Sequence, residues 1–246
     1  MDEALRQRCV EAVVEEGEQF GILAQELDDA GRLDVRVPWV PEWTARDLVG
    51  HLGTVHRWAT AIVTAGHDRT SPAEEALAPH GLLDWYAEGL TGLVRALRTV
   101  PPDAPAWHMS PAGERVAASW ARRQAHELAV HRMDLEEAAG RPHEPLDPLL
   151  AEDGVDELLA VVVPRWAHTE PVRSAAATVA VTSRGTGRGW TVEVDRGAVS
   201  VHPHTAEEAD AAVDGDPVQL LLRFWGRPSD VVVTGDPAAE ALLRGR

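Results

Sequence analysis

The sequence predicts an α+β protein: a bundle of four long helices followed by a small α/β domain, divided near residue 170. Three observations carry this reading. Four segments between residues 4 and 139 repeat apolar side chains at helical spacing. From about Ser174 the pattern changes to apolar alternation of period two around a glycine-rich turn. The triplet Gly215-Asp216-Pro217 then recurs as Gly235-Asp236-Pro237, each time offering Asp as a helix N-cap and Pro at the first helical position.

The first helix covers residues 4–30, with Leu5, Cys9, Val13, Phe20, Leu23 and Leu27 on one face. A turn-rich stretch containing Pro38 and Pro41 follows and ends at Trp43. Thr44 caps the second helix, and Asp47 three residues on completes a capping box of the acidic kind. That helix runs to about Ala65, before Gly66. The third spans Leu82 to Val100 with Leu83, Tyr86, Leu90, Leu93 and Leu97 aligned, and Pro101-Pro102 stops it. The fourth runs from about Glu114 to Ala139 and is ended by Gly140 and Pro142. A short helix, Asp147 to Val163, trails the bundle and is closed by Pro164. The expected domains are therefore residues 1–170 and 171–246. In the second, Ala177–Thr182 and Trp190–Val194 form a hairpin, and helices start at Asp216 and Asp236.

Composition narrows the function. A net charge of −17 argues against nucleic acid and anionic membrane surfaces as partners. All 23 basic residues are Arg. Cys9 is the single cysteine, which removes a disulfide framework and a thiolate metal cluster. Met1 to Leu5 is acidic and lacks a signal-peptide pattern, and no apolar run approaches the ~18 residues of a membrane span. The expectation is a cytoplasmic monomer or dimer that handles small molecules.

Two helices carry the candidate site. His51 shares a face of the second helix with Leu48, Leu52, Val55 and Ile62, so it points to the core. On the fourth helix Glu127 and His131 share a stripe with Val116, Trp120 and Leu135, four residues apart and able to grip one ion together. Buried imidazoles and carboxylates are costly unless paired or metal-bound. One His plus Glu-x-x-x-His supplies three ligands of a zinc-type site and leaves one coordination position open. The bland reading is a hydrogen-bonded core histidine beside a chance Glu and His on a charged helix. The shared inward orientation favours a metal.

Other residues weigh less. His56 lies about 140° around the helix from His51, which makes it no natural co-ligand. His126 faces away from the stripe of His131 and suits an outer or surface role. His67, His80, His108, His143 and His168 fall in loops or at element ends, and His202 and His204 read as solvated. Cys9 occupies an apolar helix position and reads as core. Trp43 and Trp107 are placed to line a pocket. Gly50 and Gly53 flank His51 within a helix, either for close packing or to leave room above a metal. Arg223 and Arg227 lie at the end of the helix that starts near Asp216. By physics alone they complement its dipole.

At these residues the chain resembles the mycothiol-dependent maleylpyruvate isomerase family, whose N-terminal part belongs to the DinB-like metal-binding bundles. The matching stretches are Pro41 to Leu52, Arg123 to Arg132, Asp153 to Glu157 and Leu220 to Arg227. The resemblance covers essentially the whole chain, including a C-terminal domain similar to sterol-carrier-like α/β domains. It implies a metal triad of His51, Glu127 and His131, with Zn2+ or another divalent ion, and mycothiol as the thiol cosubstrate. It also implies an active C-terminal arginine, Arg227, with Arg223 the fallback. The chain departs from the family at Val40-Pro41-Glu42-Trp43, where members commonly have Cys-Pro-Gly-Trp, and at Met133, where many have Trp. Those departures bear on the substrate.

The chemistry follows from the ligand set. Two neutral imidazoles and one carboxylate leave a divalent ion with net charge about +1, so a bound thiol loses its proton readily. A mycothiol thiolate attacking an electrophilic small molecule gives cis–trans isomerisation or S-transfer, depending on whether the thiol leaves again. Three rivals stay open: a metal hydrolase using bound water, a non-catalytic metal- or lipid-binding module of the kind the sterol-carrier-like resemblance implies, and a regulatory or structural protein with a filled, closed metal site.

Overall fold

The computed structural model describes residues 2–66, 81–110, 112–166, 170 and 172–244. His67, His80 and His168 lie outside the described residues. The described chain forms two compact units: residues 1–108 with 114–145, and residues 109–113 with 146–246.

Among its described residues the first unit holds four helices. α1 (Glu3–Asp29) is capped by Asp2, whose carboxylate accepts from the Leu5 amide at 2.8 Å. α2 (Ala45–Ala65) begins at the Thr44–Asp47 capping box, with both reciprocal bonds formed. α3 is Leu82–Thr99, and α4 is Ala117–Ala139, closed by Gly140 in the left-handed conformation at φ 75°. α4 starts three residues later than its sequence pattern suggests. The reason is local: Pro105 and Val116 pair as a β-bridge, and the Ala106 amide donates to the Arg115 carbonyl, which keeps that segment extended.

α1 packs chiefly on α4, and α2 on α3 with a further seam against α4. Leu48, Leu52, Ile62, Leu93, Trp120 and Leu128 are fully buried. Gly53 serves this packing. A Cβ there would lie 2.1 Å from the Trp85 ring, so a side chain would push α2 and α3 apart. α4 is buried on nearly every side, and its Arg132 lies between the Glu16 and Glu136 carboxylates, 2.5 Å from each. Both partners are needed, because an unpaired buried guanidinium would be prohibitively expensive.

The second unit opens with α5 (Pro148–Glu157), capped by Asp147. It continues through a π turn (Leu158–Val162) into a last turn, α6 (Val163–Arg165). Pro164 therefore sits inside the helix end and does not close it. α5 packs on a helix of the second unit, so it belongs there, whereas the sequence reading placed it with the bundle.

The sheet contains β1 (Ala176–Ser183), β2 (Gly189–Asp195), β3 (Ala198–Pro203), β4 (Ala211–Gly215) and β5 (Val232–Gly235), in the order β3-β2-β1-β4-β5. Among the described strands β1 and β4 pair in parallel and the other neighbours antiparallel. The expected hairpin is β1–β2, with Val179 opposite Val192 and Val181 opposite Trp190, all buried. The repeated Gly-Asp-Pro triplets end β4 and β5 and start α7 (Pro217–Phe224) and α8 (Pro237–Ala241). Asp216 caps the Val218 amide at 3.0 Å, and Asp236 caps Ala238 at 2.8 Å. Gly235 is obligatory: φ is 82°, and a Cβ would lie 2.2 Å from the Asp210 carbonyl oxygen. No described helix is long and apolar enough to cross a membrane.

Candidate metal centre

The α2–α4 seam brings three donors together. His51 Nε2 lies 3.1 Å from Glu127 Oε1, and His131 Nε2 lies 3.4 Å from the same oxygen. One ligand atom from each residue falls within 4.8 Å of the other two. A tetrahedral ion with bonds of about 2.0–2.1 Å spaces its ligands about 3.3 Å apart, so these edges fit a zinc-sized ion. The His51 and His131 rings meet edge-on with centroids 5.2 Å apart. His51 keeps 30% of its side-chain surface exposed, Glu127 15% and His131 6%. The cluster is thus sheltered yet reachable.

Neighbouring side chains fix each donor. Asp134 Oδ2 accepts from His131 Nδ1 at 2.9 Å, which turns Nε2 toward the centre. Arg123 donates to Glu127 Oε2 at 3.3 Å and leaves Oε1 for the histidines. The Trp43 ring packs against His51 with centroids 4.7 Å apart. Asp134 and Arg123 escaped the sequence reading. The available signal was spacing, three residues beyond His131 and four before Glu127, so that both share the ligand face.

Electrostatics agree with this arrangement. Burial alone would push the Glu127 carboxyl up, but hydrogen bonds from His131 and His51 and the charges of His131 and Arg123 hold it well below the usual carboxylate range. Burial opposes charge on His131 as well. There the hydrogen bonds and charges of Asp134 and Glu127 win and raise its pKa to about 9. A divalent cation answers the same demand for positive charge that this proton meets.

The remaining candidates separate. His56, set aside as a co-ligand, is wholly buried, and neither ring nitrogen has a hydrogen-bond partner; its ring lies 5.2 Å from that of Tyr86. Burial, aided by the charge of Arg57, drops its pKa to about 3. His126 is also buried, which corrects the surface role expected of it; α4 has almost no solvent face to offer. Cys9 is a core residue. Met133 is buried at 1% exposure. In the second unit Arg223 makes a two-pronged pair with buried Glu240 at 2.9 and 3.2 Å. Arg227 donates to the Trp225 carbonyl at 2.5 Å, and its guanidinium lies 5.7 Å from the Trp225 ring centroid.

A four-helix unit with a His/Glu/His cluster on its inner seam, joined to a five-stranded α/β unit, defines a class: α+β proteins with a bundle-borne centre able to hold a divalent ion. Residues 13–136 match the family model described as the mycothiol maleylpyruvate isomerase N-terminal domain, and residues 150–241 match the MDMPI C-terminal domain. The chain belongs to the mycothiol-dependent maleylpyruvate isomerase family and is an enzyme. Two solved structures share its fold. The crystal structure of the mycothiol-dependent maleylpyruvate isomerase superposes with a TM-score of 0.62 at 15% identity, covering 93% of this chain and 92% of that one. A histidine-to-alanine mutant of the mycothiol-dependent maleylpyruvate isomerase gives 0.63 at 14% identity, with coverage of 93% and 92%. No curated protein sequence matches the chain.

Proposed function

We propose that this chain is a zinc-dependent, mycothiol-dependent enzyme acting on an electrophilic small molecule, by cis–trans isomerisation of the maleylpyruvate type or by S-transfer. The observation that carries the reading is the meeting of His51, Glu127 and His131, whose ligand atoms lie within 4.8 Å of one another. A divalent ion held by these three residues supplies Lewis-acid stabilisation of a thiolate at neutral pH. The chain's own side chains do the rest. Asp134 keeps the proton at His131 Nδ1, so that Nε2 is free as a donor atom. Arg123 anchors Glu127 and offsets part of its charge. Cys9 is buried in the core, which supports an external thiol as the nucleophile. Arg227 is assigned to a carboxylate of substrate or mycothiol, a role that its planar two-pronged guanidinium suits. Arg223, already paired with Glu240, is not.

The test is mycothiol consumption and substrate isomerisation over a panel of electrophiles, in zinc-loaded and chelator-treated protein. The expected result is turnover that needs both mycothiol and metal, and a His131→Ala protein that holds no stoichiometric zinc. Turnover without thiol would turn the reading to hydrolysis. Full zinc occupancy in His131→Ala would overturn the ligand assignment.

A further inference from the structure

Seven residues beyond His51 on α2, and seven before Glu127 on α4, the same seam carries tryptophan. Seven residues are about two helical turns, or about 10.5 Å of axis, so Trp58 and Trp120 fall in line with the two ligands. They also meet: the rings are edge-on with centroids 5.2 Å apart. Trp107, from the loop before α4, completes the group at 6.0 Å from Trp58 and 6.5 Å from Trp120. Trp120 is fully buried, whereas Trp58 and Trp107 are half-buried and present aromatic surface. Between this wall and the metal ligands, Thr54 and Val55 are half-buried too, while Leu52, Gly53 and His56 behind them are buried. The side of α2 that bears His51 therefore keeps accessible surface along these two turns, apart from Arg57, which is half-buried on the flank that faces Trp85.

The wall is held rigidly. The Trp107 amide donates to the Gly66 carbonyl at the end of α2 at 3.0 Å, and its carbonyl accepts from Trp120 Nε1 at 2.6 Å. Both main-chain groups of Trp107 are thus pinned, one to each helix of the seam. Packing alone would ask for apolar bulk here. Pinning the main chain of Trp107 and the indole of Trp120 instead backs a preformed flat apolar surface, the kind that takes aromatic or conjugated groups at little entropic cost.

We infer that Trp58 and Trp107, backed by Trp120, form the subsite for a planar apolar substituent of the electrophile, so that the enzyme prefers aryl-substituted unsaturated carbonyl compounds over small ones. This inference rests on the proposed thiol chemistry at the metal centre. In the probe reaction the thiol sulfur bonds to the β-carbon of a conjugated ketone, the carbon–carbon π bond opens, and the thiol proton ends on the α-carbon. No oxidant or reductant is needed.

The experiment compares 4-phenylbut-3-en-2-one with pent-3-en-2-one, which differ by phenyl against methyl, using zinc-loaded protein and mycothiol. The expected kcat/KM ratio favours the phenyl compound by about tenfold or more beyond the uncatalysed ratio, the scale of one good aromatic contact. Trp58→Leu and Trp107→Leu, which keep apolar bulk, should lower that ratio about tenfold and five- to tenfold. A general loss of folding would depress both substrates and leave the ratio alone. A ratio near the uncatalysed one in the parent enzyme, or one unmoved by both variants, overturns the subsite. If neither ketone reacts, the thiol reading fails separately. The subsite is then decided by tryptophan fluorescence with the phenyl ketone alone: saturable quenching lost in Trp58→Leu supports it, and no saturable quenching overturns it.

Discussion

At the residue scale the centre depends on side chains that touch no ion. Asp134, itself buried, accepts from His131 Nδ1. Asp134→Asn removes that charge while keeping the shape, so zinc affinity should fall about 10- to 100-fold by competition with a chelating dye. Unchanged affinity would mean that His131 is oriented by packing alone. Arg227 offers a second test. Arg227→Lys keeps the charge and loses the planar fork, and a carboxylate-binding role predicts about a tenfold drop in kcat/KM. A capping role predicts normal kinetics and a stability change below ~1 kcal/mol. The meeting of His51, Glu127 and His131 was legible in the sequence because helical spacing aligned them. Asp134, Arg123 and the burial of His126 were not, since charged residues on a helix ordinarily read as its wet face. On α4 the neighbouring elements leave almost no wet face.

At the scale of elements, capping and turn chemistry carried the reading furthest. The Thr44–Asp47 box and the two Gly-Asp-Pro triplets start helices where their residue types demand it. β3, β4 and β5 were missed because each is short, four to six residues, and two are edge strands. Pro164 misled because a π turn lets the helix run through it. Glycines divide in an instructive way. Gly53→Ala puts a methyl into the Trp85 ring, and overpacking of this kind costs about 1–3 kcal/mol, more than the ~1 kcal/mol of helix propensity returns. Gly92 on α3 has open space at its Cβ, so Gly92→Ala should stabilise by up to ~1 kcal/mol. Urea midpoints of the two variants should therefore move in opposite directions at unchanged m-value. If Gly53→Ala were neutral, the α2–α3 contact would be softer than its geometry implies.

At the scale of the whole molecule, two buried histidines set opposite limits on stability. His131 holds its proton to about pH 9 in the metal-free fold, against 6.5 for an ordinary histidine. Its contribution is complete below pH 6.5 and is lost as pH rises toward 9. His56 stays neutral down to about pH 3, so its environment favours the fold above pH 6.5 and penalises it increasingly as pH falls below that. Metal-free protein should therefore lose stability on both sides, through different residues. His56→Leu should lessen the acid loss between pH 6.5 and 4 without altering the alkaline one. Zinc acts on the other side, because an ion at His131 Nε2 must displace the proton there. Between pH 6.5 and 9 each unit of pH should raise zinc affinity by up to about tenfold, with close to one proton released per ion at pH 7.5. Calorimetric titration in two buffers of different ionisation enthalpy measures that proton directly. Zinc binding without proton release would mean that His131 is already neutral in the empty centre, and that Asp134 and Glu127 do not hold the charge their geometry assigns to them.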